Sequence, residues 1–242
     1  MQAHCARLSV LRHLRHLQSN NMNHFVYLGL IWLGLIASIP GFFISDNSYK
    51  KQHLNIFIIL LIISILESYG TYTTLNGINN VWAFNIVFVY LETLLLLYFF
   101  TLVFNDPKFA RKILILSAIF VLWGVINTIW IQTFDLLQTY SFIMGSFLII
   151  GCCVYYFYKM FDETFFKDQS LLTLPSFWVI TFVFFFYACS FLFFASIRLM
   201  DESNYSLLIG IYDMIRVLGV LMYMIMGLAF YAPLIFKKKV IV

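Results

Sequence analysis

Residues 81–104 read VWAFNIVFVYLETLLLLYFFTLVF, an unbroken apolar stretch whose single charge is Glu92. About 20 such residues in a helix cross the hydrocarbon of a bilayer. A helix also satisfies its own backbone hydrogen bonds, which lipid cannot do for it. The stretch is therefore read as a membrane span. Six more follow the same pattern, at 25–44, 53–73, 111–133, 136–158, 174–199 and 206–235. The breaks between them carry turn and charge signals, such as Asn76-Gly77-Ile78-Asn79-Asn80, Asn105-Asp106-Pro107, Asp162-Glu163 and Asp201-Glu202-Ser203-Asn204.

Composition agrees with this reading. The 242 residues are 62% apolar, 20% aromatic and only 11% charged. A soluble domain carries about 25% charged residues, and a chain of this size could not cover its surface with so few polar groups. The expected fold is an all-α polytopic bundle of seven transmembrane helices in contact with the lipid bilayer. The net charge of +4 is spread over short clusters between spans, which does not form the basic stripe of a nucleic-acid binder. No connection is long enough for a soluble domain. Any cytoplasmic output must then come from the bundle itself or from another polypeptide.

Orientation follows from lysine and arginine placement. Lys50, Lys51, Lys108, Arg111, Lys112, Lys159, Lys167, Lys237, Lys238 and Lys239 fall after the odd-numbered spans, and only Arg198 falls after an even one. This bias predicts an N-terminus outside and a cytoplasmic C-terminus in a multi-pass membrane protein. Residues 1–21 break the rule, adding Arg7, Arg12 and Arg15 on the wrong side. Three readings fit the segment. Met22 is the true start and 1–21 a mis-called extension; or Leu8, Leu11, Leu14 and Leu17 mark an amphipathic surface helix; or this is an arginine-rich targeting peptide. The domain division is thus 1–21 and 22–242.

Charges inside spans are costly and usually face the bundle or a water-filled cavity. Glu67, Glu92, Asp213 and Arg216 are the four of interest. Counting back from Lys237 at about 1.5 Å per residue puts Asp213 near the outer boundary, with Arg216 about a turn deeper. Their spacing of three allows them to pair. Three acids against one base leave uncompensated charge if all ionise, so at least one acid is expected to stay protonated; Glu92, the deepest, is the candidate. These residues suggest an outward polar cavity for a small ligand or ion, although Glu92 could equally serve as packing glue between helices. Gly34/Ser38 and Ser141/Gly145 have the four-residue spacing that lets backbones approach. Trp82, Trp130 and Trp178 lie near span ends, where an indole suits the headgroup layer.

Absences narrow the chemistry. No histidine lies in the spans between the edges marked by His24 and His53, and every lysine is in a loop, a tail or a span edge. Haem, histidine-bound zinc and a deep Schiff base are therefore not expected, and no cofactor or metal is assigned. Cys152, Cys153 and Cys189 lie in apolar segments without metal or redox spacing. Neither a phosphate-binding G-x-x-x-x-G-K-[ST] nor a G-x-S-x-G nucleophile motif is present. Tyr212-Asp213 matches half of an intramembrane aspartyl protease site and lacks its partner. No catalytic motif supports an enzyme.

Asn85, Tyr90, Leu91 and Glu92 in the third span, with Leu174-Pro175-Ser176-Phe177-Trp178 opening the sixth, resemble a group of uncharacterised seven-helix bacterial inner-membrane proteins. The resemblance extends loosely over 22–242. It implies a sensory role beside kinases and response regulators, and it adds Asn85 and Tyr90 to the candidate residues. The first functional reading is accordingly a receptor-like sensory protein with a separate cytoplasmic partner. The alternatives are a small proton- or cation-coupled transporter or channel subunit, which would tend to form homo-oligomers, and an assembly subunit paired with another membrane chain.

Overall fold

The structure, a computed structural model, describes residues 24–44, 47–161, 170–196 and 205–236. The basic segment 1–21, the acidic turns at 162–163 and 201–202, Lys167, Arg198 and Lys237 to Lys239 lie outside the described residues. Among the described residues there is no strand, and seven helical spans are long and apolar enough to cross a membrane. The chain is a multi-pass membrane protein.

The spans are α1 (His24–Ser38, continued by Gly41–Ile44), α2 (Lys50–Leu75), α3 (Val81–Phe104), α4 (Pro107–Ile131), α5 (Thr139–Met160), α6 (Pro175–Ser196) and α7 (Tyr205–Leu228, continued by Ala232–Phe236). Helices α1, α2, α3, α5, α6 and α7 pack each on the next, α7 closes back onto α1, and α4 lies against α3 and α5. One end of the bundle carries Lys50, Lys51, Lys108, Lys112 and Lys159; the opposite end carries the connections at 76–80 and 132–138.

Local sequence explains where helices stop. Asn105 adopts a left-handed conformation, φ 47°, and ends α3, a geometry that asparagine tolerates better than most residues. At the next residue, the Asp106 side chain accepts from the Lys108 backbone N–H at 2.9 Å and caps α4, with Pro107 in its first turn. Two spans contain π-helical turns, Asn85–Leu91 in α3 and Asn127–Ile131 in α4. Such turns are rare and often sit at functional positions.

Proline breaks α1. Pro40 has no N–H to donate, and the carbonyls around the break find partners elsewhere. Tyr231 donates to the Ala37 carbonyl at 2.8 Å, and His53 Nε2 lies 3.0 Å from the Ser38 carbonyl. The His53 ring is fully buried between Phe42 and Phe230, at centroid distances of 4.2 and 4.4 Å. A Cβ at Gly41 would stand 2.6 Å from His53 Cε1, so only glycine leaves room for the ring.

The tightest seam joins α1 to α7. A Cβ on Gly34 would lie 2.9 Å from the Tyr223 carbonyl oxygen, and one on Gly227 would collide with the backbone of Gly34. Here backbones touch directly, the packing that small residues permit in membranes. At a second small-residue contact, Gly145 of α5 meets Thr93 of α3, with Oγ1 at 3.0 Å from the Cβ position.

Candidate functional site

Two polar groupings lie inside the bundle. The first contains all four of the charged residues singled out in the sequence. Glu67 of α2 is half-buried and accepts a hydrogen bond from Tyr27 of α1 at 3.2 Å. The Arg216 guanidinium of α7 stands over the Tyr27 ring, 4.7 Å from its centroid, close enough for a cation–π attraction. Arg216 is also within electrostatic range of Glu67 and of Tyr212. Asp213 lies one turn before Arg216 on the same helix, half-buried.

Deeper in the bundle is Glu92 of α3, 2% exposed. The Tyr223 hydroxyl of α7 donates to its two carboxyl oxygens at 3.0 and 3.2 Å. Tyr187 of α6 is fully buried beside it; its hydroxyl lies near the carboxyl without the geometry of a formed hydrogen bond. Tyr223 is in electrostatic range of Glu67 and Tyr27 as well as Glu92. The two carboxyls thus belong to one file, contributed by α1, α2, α3, α6 and α7. It runs from Asp213 and Arg216 near one end of the bundle to Glu92 in its interior.

Chemically, the file offers two carboxyls whose immediate hydrogen-bond donors are phenols, and a single guanidinium at its shallow end. Buried charge is costly unless paired, and within the described hydrogen bonds Glu92 is served by a neutral donor alone. Among the described residues no group of three His, Cys, Asp or Glu could hold a metal ion.

Asn85 and Tyr90 turn to a different grouping, toward α4 and α5. Asn85 donates to the Phe134 and Leu136 carbonyls, both at 3.0 Å, and accepts from the Gln138 backbone N–H at 2.9 Å. It thereby clamps the connection between α4 and α5. Tyr90 donates to Ser141 Oγ at 3.0 Å, and its ring crosses α4 at Gly124. Asn127, fully buried in the π turn of α4, directs its amide nitrogen at Gln132 Oε1, Gln138 Oε1 and Ser141 Oγ. The site proposed from sequence therefore divides: Glu67, Glu92, Asp213 and Arg216 share the file, whereas Asn85 and Tyr90 belong to the loop clamp.

Sequence reasoning missed Tyr27, Tyr187 and Tyr223 in the file, and Asn127, Gln132 and Gln138 in the clamp. The tyrosines gave no usable signal, because the chain holds 15 of them. The amides did leave one: three side-chain amides within 127–138, flanking a break between spans, have polar demands that must be met inside the protein.

No family model, curated protein or solved structure matches this chain.

Proposed function

We propose that this chain is a receptor-like sensory protein of the plasma membrane, with the carboxyl–tyrosine file as its input site and a separate cytoplasmic protein as its output. The observation that carries the reading is the bond between Glu92 and Tyr223. It ties the interior of α3 to α7, and α7 continues through the turn at Ala229–Tyr231 to the lysine-bearing end. A change of charge or ligand at Glu92 therefore acts directly on the helix that packs against α1, and a ligand that favours one arrangement of that helix shifts the population. The lysine-bearing end is the cytoplasmic one in this reading, supported by the excess of positive charge there. The resemblance of the Asn85–Glu92 and Leu174–Trp178 segments to seven-helix bacterial proteins points the same way.

The test is recovery of the full chain from its native membranes in mild detergent, followed by mass spectrometry. A kinase or regulator in fixed stoichiometry, whose activity loses its response in Glu92→Ala, supports the sensory reading. A homo-oligomer alone, with pH-dependent ion flux in liposomes that Glu92→Gln abolishes, replaces it by a proton- or cation-coupled transporter. The interior position of Glu92 is the observation favouring that second reading. A stable complex with another membrane chain that shields Asp213 and Arg216 indicates an assembly subunit.

A further inference from the structure

The partners chosen for Glu92 are informative. A carboxyl paired with arginine or lysine faces donors only, and one paired with backbone carbonyls faces acceptors only; each arrangement fixes a single protonation state. A phenol hydroxyl does neither, because it donates to a carboxylate and, after rotating about its C–O bond, accepts from a carboxylic acid. Glu92 has two phenols at hand. Tyr223 is bonded to it, and the Tyr187 hydroxyl is buried close by with no hydrogen bond of its own. Both rings are essentially inaccessible to solvent. Val89 and Leu96, which flank Glu92 on its face of α3, are at 0% exposure. Packing this close suits a proton better than a hydrated ion or an amine.

We propose that Glu92 is a reversible proton-binding site, with Tyr187 and Tyr223 as its ambivalent hydroxyl partners. Glu67 is the carboxyl that passes the proton to and from water at the Asp213 end of the bundle. In the loaded state the Glu92 carboxylic O–H donates to the Tyr187 oxygen while Tyr223 donates to the other carboxyl oxygen. On release the Glu92 O–H bond breaks, and the proton is taken up by the Glu67 carboxylate and then by water. Tyr187 and Tyr223 then both donate to the Glu92 carboxylate. Nothing else changes hands.

The groups around Glu92 fit this assignment from every side. Tyr223 is bonded to it from α7, Tyr187 stands beside it on α6, and Glu67 of α2 lies within electrostatic range. Behind Tyr187 stands Cys153 of α5, and behind Glu67 stand Tyr27 of α1 and Arg216 of α7. Arg216 is the cation among these neighbours, and it lies with Glu67 and Tyr27 at the shallow end, while Glu92 is left to its phenols.

The inference rests on the sensory reading only for the use to which the proton is put, and its test is independent of any partner. Infrared difference spectra of the full chain in lipid, recorded between about pH 4 and about pH 9, should show a carboxylic C=O band that titrates. The band should be absent in Glu92→Gln. Tyr187→Phe keeps the buried ring and leaves the Tyr223 bond to Glu92 in place, so it should keep the fold. It should retain the band and move its midpoint by about tenfold in proton concentration. A band that never titrates, one that survives unchanged in Glu92→Gln, or a midpoint indifferent to Tyr187→Phe overturns the assignment. If the band titrates but no signalling partner is found, the proton site stands and the sensory reading falls. If a partner responds while the band is invariant, the reverse holds.

Discussion

One phenol, Tyr223, bonds both oxygens of one carboxyl, Glu92, across 131 residues of chain. The two helices they belong to, α3 and α7, are held at mid-bundle by this polar contact. Interhelical hydrogen bonds in membranes average about 0.6 kcal/mol and reach about 1–2 kcal/mol in favourable cases. Tyr223→Phe is expected near the upper figure, because it deprives a buried carboxyl of its donor. Thermal unfolding in detergent measures this, with Tyr98→Phe on the exposed side of α3 as the unaffected comparison.

The α1–α7 seam should be intolerant of even a methyl group. Gly227→Ala places a Cβ against the Gly34 backbone, and overpacking of this kind costs about 1–3 kcal/mol. Gly151→Ala, where nothing lies within 4 Å of the new atom, should leave the unfolding temperature unchanged or raise it slightly. Equal behaviour of the two variants would mean that the seam is looser than described.

Asn85→Ala should free the connection at 132–138. It removes three hydrogen bonds to the backbone of Phe134, Leu136 and Gln138, and each buried group left unpaired costs about 1–3 kcal/mol. Hydrogen exchange at 133–138 should rise sharply while exchange in α6 and α7 is unchanged. Uniform exchange across the whole chain would instead indicate that the clamp supports the entire fold.

Tyr231→Phe should loosen the broken segment of α1. Its hydroxyl serves the Ala37 carbonyl at the Pro40 break, and the loss is expected to cost about 1 kcal/mol. A cysteine introduced at the exposed Phe43 should react faster with a water-soluble maleimide in that variant. An unchanged rate would show that Ala37 finds another donor.

How much of this could be read in the sequence depended on the length scale of the signal. Seven spans were legible because about 20 apolar residues in a row seldom occur outside a membrane, and a charge such as Glu92 or Arg216 stands out against that background. Helix boundaries followed from local chemistry, as at Asp106-Pro107. What could not be read was the partner of each polar group. Tyr187 and Tyr223 look like any other aromatic residue in a span until α6 and α7 are placed beside α3. The π turn at Asn127–Ile131 has no hydropathy signature, since one widened turn leaves composition unchanged. Pro40 was visible, but not that Tyr231 and His53 would receive the carbonyls around its break.

The glycine seam between α1 and α7 also bears on how the protein is made. The chain enters the membrane from its N-terminal side, so the Gly34 face of α1 waits while five other spans are synthesised. Its backbone-to-backbone neighbour, with Gly227, is the seventh to arrive. Until then nothing from α7 covers that face, and lipid or the insertion machinery must occupy it. Closure of α7 onto α1 therefore waits for the seventh span, and a chain interrupted before Gly227 would leave the Gly34 face without its backbone neighbour.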